Sequence, residues 1–134
     1  MRPSGCYFMA IVEALTDLFD IPFTHDSVAA FFAAEIKNLH DDVDNEMFVR
    51  SPQLLMDDLV GKGRVEFRGW QPTTYACAED EIEFGCWHKP GNTYNHFTHN
   101  NGRGIVLYDP WSAQGSDSVR EGFLVSRRVA RLIA

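Results

Sequence analysis

The spacing of apolar residues changes period part-way along the chain, and that change limits the fold more than any single motif. From Tyr7 to Phe19, the residues Phe8, Ile11, Val12, Leu15, Leu18 and Phe19 recur at helical intervals, with Glu13, Thr16 and Asp17 between them. That spacing predicts a helix, which Ile21-Pro22-Phe23 ends. A second helix is expected from Thr24 or Asp26, either of which can cap free amides, through Val28, Phe31, Phe32 and Ile36 to about Leu39. Ser51-Pro52 opens a third, with Ser as cap and Pro in the first turn, and Gly61 closes it. The run Asp41 to Glu46 between the last two reads as a solvated acidic loop.

Beyond Gly61 the helical period is lost. Val65 and Phe67 alternate with charged neighbours, as in a half-buried strand. Thr73 to Phe84 has no clear period, and its acidic run Glu79 to Glu83 is expected to face solvent. His96-Phe97-Thr98-His99 and Ile105-Val106-Leu107-Tyr108-Asp109 are two strand-like runs flanking Asn101-Gly102, a strong hairpin signal. Phe123 to Ile133 fits either a strand or a short helix capped by Ser126. Helices first and an antiparallel sheet second predict an α+β fold. The 134 residues suit a single domain spanning 1–134. A chain near that length buries roughly 70% of its unfolded surface, enough for a core without staples.

Charge and cysteine usage remove several functions. The net charge is -7, opposite in sign to a phosphate-binding surface, so nucleic acid is not expected as a partner. The basic cluster Arg127, Arg128 and Arg131 is too small to reverse that. No stretch reaches the ~20 apolar residues of a membrane helix. Glu13, Asp17 and Asp20 interrupt the segment that would form a signal core, so the cytoplasm is the expected location. Three cysteines, none in a C-x-x-C pair, point to reduced thiols. Cys77, Cys86, His88, His96 and His99 lack the usual zinc-ligand spacing, so no metal and no cofactor is expected.

One constellation carries chemistry. Cys6 follows Gly5 at the start of the first helix, where free amides and the helix dipole favour a thiolate and lower a thiol pKa. Gly5 removes side-chain bulk where a substrate backbone would approach. A nucleophilic thiol needs a base and a group that orients the base. With Asn101-Gly102 as a two-residue turn, His96 lies diagonal to Asp109; with Gly102-Arg103 central, the two are directly opposed. Either register makes Cys6, His96 and Asp109 a candidate triad. Of the three tryptophans, Trp111 lies two residues past Asp109 and is the one expected in a cleft, with Trp87 next.

Gly5-Cys6-Tyr7-Phe8 opening a helix, followed by His96-Phe97 and Tyr108-Asp109-Pro110-Trp111, resembles the papain-like cysteine peptidase superfamily. The nearest branch is the small bacterial peptidases that clip double-glycine leader peptides. A prophage-associated family of small proteins shares the Gly-Cys-Tyr-Phe opening. The resemblance implies Cys6 as nucleophile, His96 as general base and then acid, and Asp109 as the orienting carboxylate. It also implies a helical half packed on a sheet half, with a peptide or peptidoglycan-peptide substrate between them. Papain-like enzymes usually carry a Gln about six residues before the Cys, yet only five residues precede Cys6 and none is Gln. The oxyanion would then fall to the Cys6 amide, with Ser4 or Asn95 as side-chain donor. The missing Gln also supports another reading, a weak or inactive papain-fold binding module acting on a protein partner as a phage-encoded accessory or inhibitory protein.

Overall fold

The computed structural model of the chain describes residues 5–37, 49–111 and 116–133. The first helix, α1 (Gly5–Leu18), buries Phe8, Ile11, Val12 and Leu15 along one stripe. Fully burying side chains of this size stabilises a fold by about 1.5–3 kcal/mol each. Helix α2 (His25–Lys37) is capped by Thr24: its Oγ1 accepts the Ser27 amide at 3.1 Å, and Ser27 Oγ accepts the Thr24 amide at 2.8 Å. Phe31 and Phe32 of α2 pack their rings on Phe8. Helix α3 (Pro52–Val60) begins and ends at the expected caps, with Ser51 Oγ accepting the Leu54 amide and Gly61 at φ 100°. The acidic run 41–46 lies outside the described residues.

Five strands follow: β1 (Val65–Gln71), β2 (Glu81–His88), β3 (His96–Asn100), β4 (Val106–Tyr108) and β5 (Phe123–Leu132), with a short helix α4 (Asp117–Arg120) before the last. They form one sheet in the order β1-β5-β2-β3-β4, every neighbouring pair antiparallel. The ambiguous tail is therefore a strand. It inserts between β1 and β2, so β5 is an interior strand of the sheet. Val65, Ile82, Phe84 and Ala130 face the helices and join Phe8, Ile11, Leu15, Leu55 and Met56 in one apolar core. The fold is α+β, with helices packed on a five-stranded antiparallel sheet.

The opposite face of the sheet overturns two sequence expectations. Glu79 and Asp80 are exposed, but Glu83 is fully buried. Its Oε2 takes a 2.7 Å bond from Arg127, and its Oε1 accepts from Asn100 Nδ2 and the Gly104 amide. Strand alternation is the reason: position 83 shares a face with Asn100 and Val129, its cross-strand partners. Arg127 correspondingly leaves the expected surface cluster and also donates to the Tyr75 and Gly102 carbonyls.

The hairpin between β3 and β4 likewise is not a two-residue turn. The ladder pairs His99 with Tyr108 and Asn100 with Val106, leaving a loop at 101–105. Asn101 Oδ1 accepts the amides of Arg103 and Ile105, and Gly102 and Gly104 take positive φ of 91° and 81°. The loop folds down because the Gly104 amide is bound by buried Glu83. Neither register expected for the His96–Asp109 approach is therefore the one present.

Candidate active site

Cys6 is the second residue of α1 and is 2% exposed. The ladder between β3 and β4 stops at His99–Tyr108. Two residues back along β3, the Phe97 amide points to the same edge and donates to Cys6 Sγ at 3.4 Å. The sulfur therefore sits against the peptide bond joining His96 to Phe97. Burial pushes the thiol up to about 11, although the amides of Phe97, Tyr7 and Cys6 itself pull the other way. The expected lowering at a helix start is thus reversed. Desolvation of the anion outweighs the helix-terminal amides.

His96 and Asp109 do meet, by a route other than a tight turn. Asp109 follows the last residue of β4, where the chain leaves the sheet. Its Oδ1 lies 2.6 Å from His96 Nε2 and accepts the Trp111 amide at 3.0 Å, while Oδ2 accepts the Ser116 amide at 2.8 Å. Burial alone would raise this carboxyl, but the imidazole bond and the two amides hold it down at about 2. An ionised carboxylate only accepts, so Nε2 carries a proton in this bond, and Nδ1 is the ring nitrogen it leaves over. Nδ1 is buried and has no hydrogen-bond partner among the described residues. The Trp111 ring lies over the imidazole at 4.0 Å and 25°, with Tyr94 edge-on to Trp111. A cavity of about 340 Å³ adjoins this stack, lined in part by Asn92, Tyr94, Trp111, Ser116, Ser118 and Arg120.

A family model for proteins of unknown function, DUF261, matches residues 1–132. The chain belongs to DUF261. No curated protein and no solved structure matches it.

Among the expected site residues of this DUF261 protein, His96, Asp109 and Trp111 are in direct contact, and Cys6 lies one peptide away. Gly5 is buried at the start of α1 beside Cys6. Ser4 lies outside the described residues. Asn95 is exposed, with Oδ1 3.1 Å from His88 Nδ1, and its side chain also bonds the Cys86 thiol. Sequence reasoning missed the Ser116 amide, which holds Asp109 from seven residues downstream, and the stacking of Trp111 on the imidazole ring. It also passed over a second histidine–carboxylate pair, His99 Nδ1 to Glu13 Oε2 at 2.7 Å. Among the described residues no cluster of three or more His, Cys, Asp or Glu is arranged to hold a metal. No helix there is long and apolar enough to cross a membrane.

Proposed function

We propose that this protein is a papain-like cysteine peptidase or amidase that cleaves a peptide or peptidoglycan-peptide amide bond. One observation carries the reading: His96 is held by a buried carboxylate through Nε2, while Nδ1 is buried and unpartnered next to the peptide that binds Cys6 Sγ. The neutral thiol of the resting site fits general-base catalysis. His96 Nδ1 takes the thiol proton as Sγ adds to the carbonyl carbon. The tetrahedral oxyanion then collapses, the C–N bond breaks, and the imidazolium protonates the departing amine. Water, deprotonated by the same nitrogen, attacks the thioester, the C–S bond breaks to release the acid, and the imidazolium returns its proton to Cys6 Sγ. Asp109 keeps the imidazole in the productive tautomer and stabilises it when charged. A cavity of about 340 Å³ lies against Trp111, whose ring stacks on His96. The acidic chain suits work in the cytoplasm.

A second reading is favoured by the 2% exposure of Cys6 and its thiol at about 11. On that reading the fold is an inactive papain-type module that binds a protein partner. Incubation with p-nitrophenyl acetate separates the two. The hydrolase forms an acetyl thioester on Cys6, visible by peptide mass spectrometry, at a rate about 100- to 10,000-fold lower in His96→Ala. Absence of the adduct, or equal rates in the two proteins, rejects the hydrolase.

A further inference from the structure

We infer that the Glu13–His99 pair is a positioning device, which sets the register of α1 on β3 and so places Cys6 against the His96 peptide. The catalytic meaning of that placement rests on the hydrolase reading above. Helix α1 meets β3 at two separated points. The first is at Phe97, whose amide holds Cys6 Sγ and whose ring stacks on Tyr7 at 4.3 Å and 23°. The apolar core holds α1 on the sheet without direction, and a directional contact at one point does not by itself set the register.

The second point is Glu13, seven residues on, which returns to the same helix face about 10 Å further along the axis. Its carboxylate takes the 2.7 Å bond from His99 Nδ1. His99 is two residues beyond Phe97 and therefore on the same side of β3. The imidazole is itself fixed, because His99 pairs with Phe84 on one side and Tyr108 on the other. The side chains of His99 and Glu13 are 10% and 19% exposed, so water competes weakly for the bond. Two directional tethers at this separation fix one register of the helix on the strand. The nucleophile on the helix and the base on the strand are then held in one alignment, though neither tethering side chain touches the reacting atoms.

The test uses the full-length chain in four forms: wild type, Glu13→Leu, His99→Leu and Glu13→Gln. Glutamine can still accept the His99 bond, so it serves as the conservative rescue. Amide hydrogen exchange at Phe97 reads the Cys6 contact without any reference to activity. Exchange at Phe84, inside the sheet, reads general loosening. The expected result is about tenfold faster exchange at Phe97 in both leucine variants, unchanged Phe84, and near-wild-type behaviour in Glu13→Gln. Acetylation of Cys6 falls about tenfold in the same two variants. Unchanged exchange at Phe97, or equal acceleration at Phe97 and Phe84, overturns the inference. If Phe97 responds as stated but wild-type Cys6 is never acetylated, the register device stands and the hydrolase reading falls.

Discussion

Strand β3 carries two histidine–carboxylate pairs three residues apart, and they are built differently. His96–Asp109 is sealed: the two side chains are 0% and 2% exposed, and the carboxylate also binds two backbone amides. His99–Glu13 is less completely buried, at 10% and 19%, and joins a strand to a helix. His96 is left with a buried, unpartnered Nδ1, whereas neither ring nitrogen of His99 is both buried and without a partner. A histidine bonded to a carboxylate is thus not by itself the mark of a base. What distinguishes His96 is a buried ring nitrogen without a hydrogen-bond partner, while its other nitrogen is bound to Asp109. On the proposed reading, the same contrast separates a group that transfers a proton from one that fastens two elements together.

Stability should separate the pairs most strongly. Asp109→Ala strands the His96 Nε2–H and two buried amides without an acceptor, a loss of about 3–5 kcal/mol by analogy with other broken buried pairs. Glu13→Ala removes one bond at a partly wetted site and should cost about 1 kcal/mol. Urea unfolding of the two variants measures both. Similar costs would show that the pairs are structurally equivalent and break the comparison.

A smaller effect is expected in acid. Asp109 is held at about 2 in the folded state against 3.8 for the ordinary group. A depressed carboxyl contributes stability that is present above the ordinary value and lost as pH falls through about 2. Wild type should therefore lose stability between about pH 4 and pH 2, and Asp109→Asn should show a shallower decline over that window. Parallel curves would mean that Asp109 is not ionised and bound as described.

Much of this architecture was legible because its signals are local. Helix α1 follows from apolar spacing, and Ser51-Pro52 and Gly61 bound α3 where capping chemistry demands. The errors came where distant partners decide. Asn101-Gly102 favours a two-residue turn, but the Gly104 amide is claimed by Glu83, 21 residues earlier, and the loop lengthens to reach it. Glu83 looked solvated among its acidic neighbours; its partner Arg127 lies 44 residues downstream on a strand that inserts from the end of the chain. The candidate site divides the same way. Cys6 at a helix start could be read from order, whereas the tight turns that would pair His96 with Asp109 are replaced by the 101–105 loop. The upward shift of the Cys6 thiol could not, because it depends on burial that only tertiary packing creates.

Cys86 offers an internal standard for the central claim, that His96 activates Cys6. Both thiols are 2% exposed, and burial pushes both pKa values up. The direct measurement is the iodoacetamide labelling rate of each cysteine at pH 7, by peptide mass spectrometry, in wild type and His96→Ala. The account predicts that Cys6 reacts at least tenfold faster than Cys86 in wild type and loses that advantage without His96. Equal rates at the two cysteines, or an advantage that survives His96→Ala, would contradict it.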